Sequence, residues 1–294
     1  MLCKHSLVIP FIALLSIAII GCDTINPEEE VPSYIYIDSI DLVDDGDNPT
    51  GTVSHDIQDA WVIADGEFIG VFELPASIPI LQSGEKRIVI RPGIKNNGIG
   101  NTRTAYPFYD TISLERNLER KTVDSLGVLT TTYLARASFE WTERFEDTGN
   151  IELRNNDNAS VPFQVTGDKQ EVLSRDFALK ADFNNEAGFF EVRIPERKAV
   201  QLNRGAKTYL EVNFKTNTRF QVGIIATAPN GNTTRRSKLV LNRTEGRWRK
   251  VYVNLQRNVE RFPSDHRFQV FFGKRKDEAG PATLYLDNLK LISQ

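Results

Sequence analysis

The chain reads as all-β, two β-sandwich domains built one after the other, and three observations predict it. Apolar and polar residues alternate with a period of two through most of its length, the spacing of strands that bury one face. Clusters of Gly, Pro, Asn and Asp interrupt the alternation at short intervals, as in hairpin-rich proteins. Charge changes sign along the chain: Asp23–Arg136 carries 9 Lys and Arg against 19 Asp and Glu, Ala137–Gln294 carries 26 against 20. Net charges of −10 and +6 suit two bodies with different surfaces.

Ahead of the sandwiches, Lys4 and His5 precede Leu7–Ile20, an apolar run of 14 residues. A membrane-spanning helix needs roughly 20 residues and a signal-peptide core roughly 7–15. Residues 1–21 therefore read as a cleaved signal peptide, whose removal leaves 273 of the 294 residues. The run ends in Gly21-Cys22, which resembles the bacterial lipobox. That resemblance implies that Cys22 is the lipidation site, acylated with palmitate-type chains as the first residue of an outer-membrane lipoprotein. Cys3 leaves with the signal peptide, so the mature chain can form no internal disulfide. Residues 22–32 form an acidic tether, with Asn26-Pro27-Glu28-Glu29-Glu30 solvated and extended. The acidic run also resembles the export signal of surface lipoproteins of Bacteroidota-type bacteria, which implies cell-surface exposure. As a tether alone it leaves a periplasm-facing orientation open.

Residues 33–136 form the small domain. Ser33–Val43 places Ile35 and Ile37 on one face, and Asp44–Thr50 reads as a turn rather than a calcium loop, because the distal Glu and fixed central Gly of that loop are missing. Ala60–Ala64 and Glu67–Leu74 joined by Asp65-Gly66 form a hairpin, since Asp-Gly accepts the positive φ of a tight primed turn. Glu85–Arg91 is the next strand, closed by Pro92-Gly93, and Asn96–Asn101 is a loop. The order of strands and turns over Trp61–Gly93 resembles the PEGA family of small surface β domains, which implies binding or spacing at a cell envelope. Thr104–Asp110 clusters aromatics, either packed at a domain edge or offered as a sugar platform. Leu114–Val123 has spacing for a helix or a strand, Asp124–Gly127 reads as a turn, and the boundary falls near Tyr133–Ser138.

Residues 137–294 form the larger domain. Phe177/Leu179/Ala181/Phe183, Phe190/Val192/Ile194, Leu210/Val212/Phe214 and Phe220/Val222/Ile224 each line one strand face. Strands at Leu239–Leu241, Lys250–Leu255, Arg267–Phe272 and Thr283–Leu291 follow. Many short strands with alternating faces must pack as two sheets. Gly246–Val253, Leu284–Leu291 and the opening Phe145-Glu146-Asp147 resemble the corresponding parts of carbohydrate-binding-module and galactose-binding-like jelly rolls. The resemblance implies a jelly roll, and a structural calcium held by Glu146 or Asp147 together with Asp287; oxygen ligands of that kind suit a hard cation.

For function, the basic clusters Arg235-Arg236-Lys238, Arg247-Arg249-Lys250 and Lys274-Arg275-Lys276 offer one acidic-ligand surface or ordinary solvated charge. Trp248, Trp141 and Trp61 are expected to be packed. The mature chain has two histidines, His55 and His266, in unrelated segments, and neither GxSxG nor HExxH, so no catalytic residues are assigned and no enzyme is expected. Nucleic acid is not expected as a partner, because the aromatics alternate inward instead of forming stacking platforms. The sequence thus points to a lipid-anchored envelope protein that binds a glycan or other envelope ligand through its second domain. The alternative is an accessory subunit docking on partner proteins of an uptake, secretion or adhesion complex.

Overall fold

The computed structural model describes residues 31–44, 46, 52–183, 188–276 and 281–294. The signal peptide, Cys22, the acidic run and most of the Asp44–Thr50 turn lie outside these residues. Within them the protein is built almost wholly of strands.

The N-terminal strands are β1 (Ser33–Leu42), β2 (Asp59–Ala64), β3 (Glu67–Glu73), β4 (Ala76–Ile80), β5 (Gly84–Lys95), β6 (Arg103–Ala105), β7 (Ile112–Leu118) and β8 (Val123–Thr131). They form a three-stranded sheet, β4-β1-β8, and a five-stranded sheet, β3-β2-β5-β6, with β7 also pairing β5. Ile35, Ile37 and Ile40 of β1 meet Val62, Ile88 and Ile90 of the opposite sheet in one buried core. The hairpin at Asp65-Gly66 forms as expected, with both residues at positive φ of 47° and 85°.

Two expectations for this half resolve differently. Leu114–Val123 is no helix: Leu114–Leu118 is the end of β7, which pairs antiparallel with β5 so that Leu114 faces the core beside Ile88, and Glu119–Thr122 turns the chain into β8. Asp124–Gly127 is not a turn but part of β8, which runs parallel to β1. The turn-forming residues mark a bulge instead, because the register slips between Ser125 and Gly127, and Gly127 sits at φ 62°. A bulge needs the same permissive backbone as a turn, so local composition does not separate the two.

The C-terminal strands are β9 (Ser138–Glu143), β10 (Arg154–Asn155), β11 (Phe163–Thr166), β12 (Ala178–Asp182), β13 (Gly188–Arg193), β14 (Val200–Gln201), β15 (Thr208–Thr216), β16 (Phe220–Thr227), β17 (Thr233–Leu241), β18 (Arg249–Asn254), β19 (Arg267–Lys276) and β20 (Thr283–Ser293). One sheet runs β10-β13-β19-β16-β17 with β14 on β19; the other runs β11-β12-β20-β15-β18 with β9 on β20. Every alternating apolar set predicted for β12, β13, β15 and β16 faces the space between these sheets. The expected opening strand lies earlier than Phe145-Glu146-Asp147: β9 ends at Glu143, and Phe145 follows at φ 62° with its ring buried in the core.

The two sandwiches share a buried seam. The outer face of β15, β18 and β20 presents Tyr209, Tyr252 and Ile292 to Leu42, Ile94, Tyr106, Phe108, Tyr109 and Tyr133. The Thr104–Asp110 aromatics are therefore packing residues, and they form no sugar platform. At the centre of the seam Glu211, fully buried, accepts the hydroxyls of Tyr106 at 2.8 Å and Tyr133 at 2.9 and 3.0 Å. It also pairs with Lys250 at 2.6 Å. Lys250 donates to Ser54 O at 2.8 Å, and Lys290 donates to Thr52 O at 3.0 Å. Burial pushes the Glu211 carboxyl up, but Lys250 and Lys290 outweigh it and leave the group below its ordinary range. Lys290 is pushed down to about 7, mainly by burial and then by the charge of Lys250.

Candidate functional site

The outer face of the β10-β13-β19-β16-β17 sheet carries a cleft of about 810 Å³. Strand alternation decides what lines it. Because Phe190 and Val192, Phe268 and Phe272, and Val222 and Ile224 point into the core, their neighbours turn outward. The register sets Glu191, Gly273 and Gln221 in one row across three strands, and Phe189 directly opposite Arg275. Arg235 enters from β17, while Asn156, Asn158 and Ser160 form the rim beyond β10.

Two mid-strand glycines shape the floor. At Gly223 a Cβ would lie 2.7 Å from the Phe271 ring and 2.2 Å from Arg236 O, so only glycine admits this ring to the outer face. Phe271 is fully buried there, beneath the Arg235 guanidinium at 3.8 Å from its ring centroid. Gly273 leaves the space spanned by the Glu191–Arg235 pair: a Cβ would sit 3.4 Å from Glu191 Oε2 and 3.5 Å from Arg235 Nη2.

The one carboxylate of the cleft is satisfied by its neighbours. Glu191 is 3% exposed; its Oε2 accepts Arg235 Nε at 3.2 Å and Nη2 at 3.0 Å, and its Oε1 accepts Asn156 Nδ2 at 2.7 Å. The pair locks Arg235 flat against Phe271, and Arg275 lies over the half-buried Phe189 ring at 5.5 Å. An aromatic face flanked by planar amides and guanidinium groups can take the apolar side of a flat polar ligand and hydrogen-bond its edge. Among the described residues lining the cleft, Glu191 is the one acid.

The fold brings together parts of two of the three basic clusters. Arg235, Lys274 and Arg275 share the cleft. The cluster Arg247-Arg249-Lys250 is dispersed, with Lys250 in the seam and Arg247 beside Glu245 at 3.5 Å. Lys238 faces Arg257 and Arg261 instead of the cleft, and its ammonium is pushed down, chiefly by burial. Sequence reading did not find Phe189, Glu191, Asn156 or Gln221. The available signal was Gly223 and Gly273 inside strand patterns, where glycine marks a bulge or close approach.

Of the expected calcium ligands, Glu146 and Asp287 come together and Asp147 does not. Asp287 is buried and Glu146 stands near enough to act on it electrostatically. The Asp287 carboxyl is pushed up to about 7, first by burial and then by Glu146, against the N–H groups of Asn288, Ser174 and Leu173. Its Oδ2 is buried and has no hydrogen-bond partner among the described residues. Asp147 is exposed and accepts Gly149 N at 3.2 Å within its own turn. No group of three or more His, Cys, Asp or Glu able to hold a metal occurs among the described residues. Glu146 and Asp287 are the residues that would hold a hard cation here, were one bound.

Trp141 is core, 5% exposed. Trp248, expected in the core as well, is half-buried on the outer face of its sheet, its ring 6.4 Å from Tyr285 and 5.5 Å from the Lys215 ammonium. It precedes β18 at an outward position, the same parity as Lys250 and Tyr252. Trp61 is half-buried over Gly93, 6.0 Å from Phe68. His55 lies 3.8 Å from Asp41, and burial pushes its imidazole down; His266 adjoins Asp265. The two stand in separate places.

No protein-family model and no curated protein matches the chain. Solved structures similar to it include a carbohydrate-binding module of the β-sandwich superfamily with promiscuous specificity, at 14% identity over 90% of this chain and 99% of that one, with a TM-score of 0.39. The CBM22-1 xylan-binding domain of Paenibacillus barcinonensis Xyn10C matches at 12% identity over 53% of this chain and 95% of its own, TM-score 0.39. TmCBM61, solved with β-1,4-galactotriose, matches at 13% identity over 48% and 87%, TM-score 0.33.

Proposed function

We propose that this is a noncatalytic glycan-binding protein and that the cleft of the second sandwich is its binding site. The observation that carries the reading is the outer face itself. A half-buried ring, Phe189, lies among Asn156, Asn158, Ser160, Gln221 and Arg235 in an open groove. Sugar rings have an apolar C–H face and a rim of hydroxyls, and such a surface matches both. Glu191, held by Arg235 and Asn156, serves to fix the groups around the ring. The lipobox-like Gly21-Cys22 and the acidic tether support a lipid-anchored location in the outer envelope, with the surface and the periplasm both open. Calcium held by Glu146 and Asp287 would supply only charge neutralisation at the start of the second sandwich.

Affinity electrophoresis of the soluble Cys22→Ser chain against a panel of neutral and acidic polysaccharides tests the binding reading. Retardation that Phe189→Ala abolishes supports it. A folded protein retarded by none of them overturns it and turns attention to docking on protein partners. For the anchor, Cys22→Ser should move the protein from the membrane to the soluble fraction. Retention in salt-washed membranes would overturn that location.

A further inference from the structure

We infer that the cleft selects an acidic polysaccharide, with the carboxylate of a uronic acid unit received by Arg275 while the sugar ring lies on Phe189. The inference rests on the glycan reading of the cleft and adds the ligand's charge. Among the described residues lining the cleft, Arg235 and Arg275 are guanidinium groups and Glu191 is the acid. Glu191 is already committed to Arg235 and Asn156, so it neutralises Arg235 and nothing else in the cleft.

The guanidinium that Glu191 does not engage is that of Arg275. Arg275 stands opposite Phe189 in the strand register, is exposed, and holds its guanidinium over that ring without an acidic partner among the described residues. A guanidinium beside an aromatic face is a fixed fork, suited to a planar carboxylate on a ring stacked at the same place. The cleft is also lined by neutral groups, Asn156, Asn158 and Gln221, which suit hydroxyls. Convergence is a product of the fold, since Arg235 reaches the cleft through the β16–β17 pairing and Arg275 through β13–β19, forty residues apart in sequence.

The test uses the soluble Cys22→Ser chain with polygalacturonate, its highly methyl-esterified form, alginate, a sulfated galactan, and neutral galactan and xylan. Esterification masks the carboxylates and leaves the backbone alone. The expected result is retention by polygalacturonate or alginate that weakens as salt is raised, with at least about tenfold loss on esterification and on Arg275→Ala, the scale of one charged hydrogen bond. Arg275 is exposed, so that variant keeps its fold, and unchanged circular dichroism verifies this. Equal binding of free and esterified polymer, preference for the neutral glycans, or insensitivity to Arg275→Ala overturns the acidic assignment while the glycan reading stands. Preference for the sulfated polymer over both uronates would also overturn it. Loss of all binding, to every polymer, removes both.

Discussion

Replacing Glu211 by glutamine tests whether the two sandwiches are held by a buried charge cluster. Glutamine keeps the shape and one acceptor oxygen but removes the charge facing Lys250 at 2.6 Å. Its amide then points a donor at groups that themselves donate: the hydroxyls of Tyr106 and Tyr133 and the ammonium of Lys250. Lys250 has a side chain 2% exposed and cannot recover a water shell without opening the seam. Breaking a buried pair by removing one partner costs about 3–5 kcal/mol, a large share of a typical total of about 5–15 kcal/mol. Urea unfolding should therefore show a lower midpoint at an unchanged slope. Glu211→Met combined with Lys250→Met should recover part of the loss, because it removes both charges while the two tyrosine hydroxyls still lose their acceptor. A loss below about 1 kcal/mol in Glu211→Gln would refute the reasoning, since an exposed pair is worth no more than that.

Three further outcomes follow from the structure. Gly223→Ala must displace the Phe271 ring or the Arg236 carbonyl, so it should lower stability by about 1–3 kcal/mol and weaken glycan retardation along with it; a variant with unchanged melting would show that the floor is not tight. Calcium at about 100 times its dissociation constant should add about 2.7 kcal/mol of stability, seen as a higher Tm against chelator, lost in Asp287→Asn and kept in Asp147→Asn; an identical Tm with calcium and chelator counts against the site. Above neutrality, stability should rise with pH up to about 10. Lys290 titrates near 7 when folded and near 10.5 when unfolded, so the unfolded chain binds the extra proton between those values. Beyond about pH 10 the trend should reverse, because Tyr106, Tyr109, Tyr133 and Tyr252 resist ionisation when folded, chiefly through burial. Lys290→Met should flatten the rising limb in chemical denaturation series, and a rising limb left intact would assign it elsewhere.

The seam also changes how the second sandwich can be studied. Tyr252 OH accepts Asp56 N at 2.9 Å, and Lys250 and Lys290 donate to carbonyls of the Thr52–Ser54 segment. A fragment beginning at Ala137 would uncover Glu211, both lysines and a belt of tyrosines. Binding measurements therefore belong with the whole mature chain.

What the sequence by itself determined is what depends on local period and local conformation. Alternation in Phe190/Val192/Ile194 or Leu210/Val212/Phe214 dictates a strand with one buried face, because apolar side chains must leave water on the same side. Asp65-Gly66 dictates a tight turn because few other pairs accept its backbone angles. The same rules do not tell a bulge at Gly127 from a turn, nor an outward Trp248 from an inward one. Only the tertiary structure decided which sheet faces meet water and which meet each other. The outer face of β15, β18 and β20 carries Glu211, Lys250 and Lys290, which read as surface charge until the Tyr106–Tyr109 segment closes over them. The opposite sheet brings Phe189, Glu191 and Arg235 together on its outer face, and their meeting depends on the register of four strands distant in sequence. A site assembled by pairing across a sheet has no spacing to read, because what sets its distances is the roughly 4.8 Å step between strands and not the number of residues between them.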